Sequence, residues 1–272
     1  MFTMNLDIIF NRLWNDYITQ NPSAGKIYNL FIREGETVVN DHVAFRTLDY
    51  PEINIDVLAK PFVSNGYIPK GEYFFKEKHL FARHFEMPGD KMAPRIFISQ
   101  IILSECSENI QKTLKAAFKN ANKTKYTSDD LIFAGSLFSP VSYEVYNHLR
   151  EESEYAAWFY VFGFRANHFT VSINSLKKFN SISGVNDLLK KNGFILNSSG
   201  GEIKGTPSDL LQQSSTIADT VKVKFVEGSF EVPCCYYEFA QRYPDSNGQF
   251  YSGFVAKSAD KIFESTNFYK KK

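Results

Sequence analysis

Two histidines head matching segments of this 272-residue chain. Asp41-His42-Val43-Ala44-Phe45-Arg46-Thr47 and Asn167-His168-Phe169-Thr170-Val171-Ser172-Ile173-Asn174 each start an alternating, strand-like run with a His. Each run leads into a helical stretch that ends in Asn-Gly-aromatic. These endings are Asn65-Gly66-Tyr67 and Asn192-Gly193-Phe194, 23 and 24 residues beyond the respective histidine. The shared register predicts a duplicated unit with one His per copy. Two histidines on equivalent strands are well placed to meet at one metal.

Residues an even number apart on a strand share a face. His42, Ala44 and Arg46 therefore point one way, which puts a metal ligand and an anion clamp in one pocket. His168, Thr170 and Ser172 share a face in the second copy, with Phe169, Val171 and Ile173 on the apolar side. A third ligand is offered by Glu238, set among bulky residues in Tyr236-Tyr237-Glu238-Phe239-Ala240-Gln241. A buried carboxylate needs a cation or strong donors beside it. Two neutral imidazoles and one carboxylate with open positions form the arrangement typical of non-haem Fe(II) oxygenases, although such a set also binds Mn(II) or Zn(II).

Other polar residues carry weaker signals. In the first copy Ser99 and Gln100 stand where the second has its carboxylate, and Gln100 could line the site. His79 and His84 are five apart, so at most one can enter the pocket. His148 lies in a charged helical stretch and reads as solvated. Cys234-Cys235 reads as strand packing, because no activating base is evident. The polar segment Ser198–Asp219 is too long for an ordinary connection, which makes it a candidate functional loop. Within it Thr206-Pro207-Ser208-Asp209 reads as a helix start, and the amides and hydroxyls that follow, Gln213 and Ser215 among them, are candidate ligand contacts.

The elements that must position these groups follow from periodicity. Two helices are expected over residues 5–34, broken at Asn21-Pro22-Ser23. A strand at Asp41–Leu48, a helix at Ile53–Ser64 and strands at Tyr67–Phe75, His79–Glu86 and Arg95–Ile102 make the first module. Residues 107–160 read as mostly helical. In the second module a helix is expected at Ile182–Lys191, with strands at Gly193–Asn197, Val221–Glu227 and Val232–Gln241. The expected class is α+β: two βαβββ modules forming a central curved sheet around a metal site. Extra helices lie at the N-terminus and between the modules. One domain is expected, with N-terminal helices at 1–40, the first module at 41–102, a helical insertion at 103–162 and the second module with the C-terminal segment at 163–272.

A formal net charge of +1 gives no reason to expect nucleic acid or an anionic membrane as partner. No apolar run is long enough to span a bilayer, and the first residues lack signal-peptide features. Three cysteines argue against a disulfide framework, so a reduced cytoplasm is the expected location.

Several stretches resemble the family once called DUF1338: 41–47, Gly-Phe-Arg-Ala-Asn-His-Phe-Thr-Val at 163–171, Leu-Leu-Gln-Gln-Ser-Ser-Thr at 210–216, Tyr-Glu-Phe-Ala-Gln-Arg at 237–242 and Gly-Phe-Val-Ala-Lys-Ser-Ala-Asp-Lys-Ile-Phe-Glu-Ser-Thr at 253–266. The resemblance spans most of the chain. It implies a fold like the vicinal-oxygen-chelate superfamily and the activity of 2-oxoadipate dioxygenase/decarboxylases, also called 2-hydroxyglutarate synthases, of lysine catabolism. It further implies Fe(II) held by His42, His168 and Glu238, Arg46 on the substrate carboxylate, and a 2-oxo dicarboxylic acid and O2 as small-molecule partners. Two other readings fit the same residues: a glyoxalase-like isomerase or lyase that uses the metal as a Lewis acid without consuming O2, or a non-catalytic dicarboxylate-binding protein.

Overall fold

The computed structural model describes residues 4–121 and 129–266; residues 122–128 of the expected helical insertion lie outside that range, as do both chain ends. Two capped helices open the chain, α1 (Leu6–Gln20) and α2 (Pro22–Arg33). Asn5 and Asn21 accept from first-turn amides, and Pro22 sits where its missing N–H is harmless. The first module follows as β1 (Asn40–Leu48), α3 (Ile55–Val63), β2 (Ile68–Phe75), β3 (Leu80–Glu86) and β4 (Arg95–Ile101), in the order expected. Among the described residues three helices then intervene: α4 (Glu108–Lys119), α5 (Tyr143–Glu152) and α6 (Glu154–Phe162). The second module contains β5 (Ala166–Ser172), α7 (Ile182–Lys191), β6 (Leu211–Ser215), β7 (Thr220–Phe225), β8 (Gly228–Pro233) and β9 (Glu238–Arg242). Helix α8 (Ala256–Phe263) follows.

Seven strands form one sheet in the order β2-β3-β4-β1-β5-β9-β6. The two histidine strands, β1 and β5, are antiparallel neighbours at its centre. Each is flanked by a parallel partner from its own module, β4 beside β1 and β9 beside β5. An antiparallel strand comes next on each side, β3 and β6. The duplication also shows at the helix ends. Tyr67 N–H donates to the Phe62 carbonyl and Phe194 N–H to the Leu189 carbonyl. Gly66 and Gly193, at φ +102° and +82°, take the left-handed turn that these bonds require.

The second module departs from expectation at several points. Gly193–Asn197 is not a strand; Leu196 makes only an isolated bridge to Thr216. The candidate loop Ser198–Asp219 instead contains β6, whose polar sequence Leu-Gln-Gln-Ser-Ser hides a strand: Gln213 and Ser215 face the polar site, and Ser214 on the opposite face bonds Asn186 of α7. The expected strand Val232–Gln241 is two, β8 and β9, separated by Cys234–Tyr237. Strands β7 and β8 leave the main sheet as a hairpin of their own. The helix start at Thr206 closes a capping box but yields a single 3-10 turn.

One sheet face packs under helices. Trp14 meets Phe169 edge-on at 5.1 Å, Phe62 meets Phe45 at 5.7 Å, and Phe31 meets Phe239 at 6.2 Å. The other face carries the polar residues. Across it the register aligns His42, Thr170, Glu238 and Ser215 in one row, and His84, Phe97, Ala44 and His168 in the next. No described helix is long and apolar enough to cross a membrane.

Candidate metal centre and active site

His42, His168 and Glu238 converge on the polar face, with potential ligand atoms all within 4.8 Å of one another. Glu238 Oε1 lies 3.6 Å from His42 Nε2, and Oε2 lies 3.2 Å from His168 Nε2. The two Nε2 atoms are 3.4 Å apart. All three side chains are buried.

Each imidazole is oriented by its chain neighbour. Asp41 Oδ1 lies 2.8 Å from His42 Nδ1, and Asn167 Oδ1 lies 3.0 Å from His168 Nδ1. Adjacent strand residues ordinarily face opposite ways. Here the β1–β5 register slips between Asn40 and His42 and again between Ala44 and Phe45, where Asn167 is the extra residue on β5. These bulges turn Asp41 and Asn167 toward the histidines. An Nδ1–H held by an oxygen leaves Nε2 with its lone pair for a metal.

Arg242 completes the support of His42. Its Nε donates to Asp41 Oδ2 at 2.6 Å and its Nη2 to Oδ1 at 2.9 Å. Burial opposes ionisation of Asp41, but the Arg242 guanidinium and the bonds it receives hold its pKa well below the usual carboxylate range. Arg242 Nη1 also donates to the carbonyls of Tyr251 and Gly253, at 2.8 and 2.7 Å. This fixes the approach to Phe254, whose ring stands edge-on to His42 at 4.8 Å.

The donor chemistry fits a divalent cation. Burial lowers the pKa of His42, and burial with the nearby His42 and Arg46 lowers that of His168 further, so both rings are neutral. Burial pushes the Glu238 carboxyl up to about 8, against the bond from Gln213. A cation between the three would relieve that penalty.

The other candidate residues fall around this centre. Gln213 Nε2 donates to Glu238 Oε1 at 2.5 Å, and its Oε1 is buried without a partner among the described residues. Ser215 shares its hydroxyl with Ser265 at 2.8 Å. Arg46 lies on the His42 face of β1 and is fully buried, but it does not border the small cavity beside the triad. Its Nη1 donates to Glu154 at 3.1 Å and its Nη2 to Thr266 at 3.2 Å, with Tyr155 and Trp158 rings each 4.9 Å from the guanidinium carbon. Gln100 faces away and receives the Ile55 amide at the start of α3, whereas Ser99 shares the register position of Arg46. His84 is the buried one of the pair with His79; it is held by Tyr73 and Glu86 rather than joined to the triad. Cys234 and Cys235 are buried and unbridged.

Sequence reasoning missed the enclosure. Phe254 and the α8 residues Ala259, Ile262 and Phe263 cover the triad and leave a cavity of about 10 Å³, room for about one water. Their apolar spacing on a short C-terminal helix was the available signal. Glu154 and Asp41 gave none beyond their type.

Comparisons with known proteins give the family. The family model described as 2-oxoadipate dioxygenase/decarboxylase matches residues 9–132 and 130–246. A chloroplastic protein of Arabidopsis thaliana named 2-oxoadipate dioxygenase/decarboxylase is 36% identical over 279 residues, 92% of this chain and 74% of that protein. The crystal structure of hydroxyglutarate synthase from Oryza sativa in complex with 2-oxoadipate superposes with a TM-score of 0.89 at 33% identity, over 96% of this chain and 91% of that one. A Shewanella frigidimarina structure provisionally described as a hydrolase has a TM-score of 0.88 at 48% identity, over 94% and 99% of the two chains. A Ralstonia eutropha protein assigned to the glyoxalase superfamily shares the fold at a TM-score of 0.72 and 18% identity, over 90% and 83%. The sheet thus has the vicinal-oxygen-chelate type of architecture, and the chain belongs to the 2-oxoadipate dioxygenase/decarboxylase family.

Proposed function

We propose that this protein is an Fe(II)-dependent dioxygenase that converts 2-oxoadipate and O2 into 2-hydroxyglutarate and CO2, a step of lysine catabolism. The observation that carries this reading is the convergence of His42, His168 and Glu238 in a chain of this family. The stoichiometry balances without an external reductant, since both atoms of O2 end in the products. His42, His168 and Glu238 would hold the metal. When bound, ferrous iron supplies open positions for a chelating 2-oxo acid and for O2.

The chain's own residues account for orientation and exclusion of water. Asp41 and Asn167 fix the imidazoles, and Gln213 fixes the carboxylate. Arg46 holds the substrate's remote carboxylate. Glu154 retains Nη1, so the Nε–Nη2 edge serves the substrate, with exchange of the Thr266 bond. Ser215 forms part of the wall near the substrate. A six-carbon acid does not fit about 10 Å³, so α8 moves outward to admit it and closes again over the complex.

Oxygen consumption by Fe(II)-loaded protein across 2-oxo acids of increasing length tests the reading. Uptake with 2-oxoadipate supports it. Turnover without O2 would favour the isomerase or lyase alternative, and binding without turnover a dicarboxylate carrier.

A further inference from the structure

Tyr236 lies two residues before Glu238, and its ring stacks on His168 at 4.7 Å with 27° between the planes. It packs with Ala218 and with Ile262, one of the residues that cover the metal centre. The side chain is fully buried, yet its hydroxyl has no hydrogen-bond partner among the described residues. A phenylalanine would stack as well without leaving a buried hydroxyl unpaired, which is destabilising. A second unpaired donor lies nearby: Arg46 Nε is also buried without a partner. The charge of Arg46 acts on both Tyr236 and His168. The phenol hydroxyl is an O–H donor. Two unpaired donors on the His168 flank call for a group that only accepts, which is the chemistry of a carboxylate.

We propose that Tyr236 contacts the substrate directly, its hydroxyl donating a hydrogen bond to the same carboxylate that Arg46 grips. This rests on the dicarboxylate reading above. It makes Tyr236 a specificity-determining residue, because a site with a buried donor discriminates against substrates that leave the donor unpaired.

The test is Tyr236→Phe, compared with wild type in three measurements. The first is the melting temperature of the ligand-free protein, which should stay the same or rise, since no bond is lost. The second is the thermal shift produced by 2-oxoadipate on metal-loaded protein without O2. It should shrink in the variant, whereas the shift with 2-oxohexanoate, which lacks the remote carboxylate, should match wild type. The third is kcat/KM for 2-oxoadipate, which should fall about ten- to a hundredfold at unchanged metal content. A drop of several degrees in the ligand-free melting temperature would mean that the hydroxyl is bonded within the fold, and would overturn the proposal. So would a 2-oxoadipate shift equal to wild type. If wild type binds 2-oxoadipate but consumes no O2, the oxygenase reading fails, while loss of the shift in Tyr236→Phe still supports the contact. If wild type shows no 2-oxoadipate shift at all, both fail.

Discussion

Asp41 and Asn167 occupy equivalent bulges, each one residue ahead of a histidine and each presenting an oxygen to that histidine's Nδ1. The pair is symmetric in geometry and unequal in charge. Asp41 is a carboxylate clamped by Arg242 with two bonds, whereas Asn167 is neutral and its Nδ2 has no partner among the described residues. The two imidazoles are thus oriented alike, but only His42 is tied to an ion pair that reaches the covering segment at Gly253.

Asp41→Asn keeps an oxygen for His42 but strands the buried Arg242 guanidinium. Breaking one side of a buried pair costs about 3–5 kcal/mol, and loss of an outer-shell partner lowers metal affinity about 10–100-fold. Asn167→Ala should lower metal affinity over the same range at a much smaller loss of stability, about 1 kcal/mol. Chemical denaturation and competitive metal titration of both variants measure the two effects separately.

Arg46→Lys preserves the charge and loses the fork. Activity on 2-oxoadipate should fall at least about tenfold, with Arg46→Ala worse. Metal content should stay near that of wild type, since Arg46 is not a ligand. Because Arg46 also neutralises Glu154 in a largely buried setting, Arg46→Ala should lower the melting temperature, and Arg46→Ala/Glu154→Gln should recover part of it. Steady-state kinetics, metal analysis and thermal melts of the three variants decide this.

Much of this centre was legible from residue types and spacing. His42 and His168 stood out because two copies of one pattern carried them, and Glu238 because an acid among aromatics needs a partner. The polar face followed from a period of two. That same period misplaces Asp41 and Asn167, because a bulge breaks the alternation and no local signal in the chain marks it. Strand β6 reads as loop because Gln and Ser weigh against a strand when burial is assumed to be apolar. The engagement of Arg46 by Glu154 joins residues 108 apart in the chain, and the cover formed by α8 depends on a similarly distant contact. Neither follows from periodicity.

In metal-free protein the folded-state Glu238 carboxyl titrates at about 8, against about 4.3 in an unfolded chain. Between those values the folded state holds a proton that the unfolded state has released, so this group makes stability fall as pH rises and contributes no further change above about 8. His42 and His168 are depressed, so their contribution is present above about 6.5 and is lost on acidification. The Glu238 trend should therefore be cleanest from about pH 6.5 to 8. Denaturation midpoints of metal-free wild type should decline over that range relative to Glu238→Gln, and saturating metal should abolish the difference.

Phe254 covers His42, and its backbone N–H is held by Tyr73 at 3.0 Å. Phe254→Ala should cost about 3–5 kcal/mol through the cavity it opens. It should also expose the centre, so a chelator should strip the metal faster than from wild type. Stopped-flow metal release with a chromogenic chelator reads the rate.

The most direct measurement is simultaneous O2 consumption and CO2 release by Fe(II)-loaded protein given 2-oxoadipate, with the remaining acid identified by mass spectrometry. The expected result is one O2 taken up and one CO2 released per 2-hydroxyglutarate formed, with no external reductant, and loss of all three in His42→Ala, His168→Ala and Glu238→Ala. Absence of O2 uptake by iron-replete wild-type protein, or full turnover by any of the three variants, would contradict the proposed oxygenase centre.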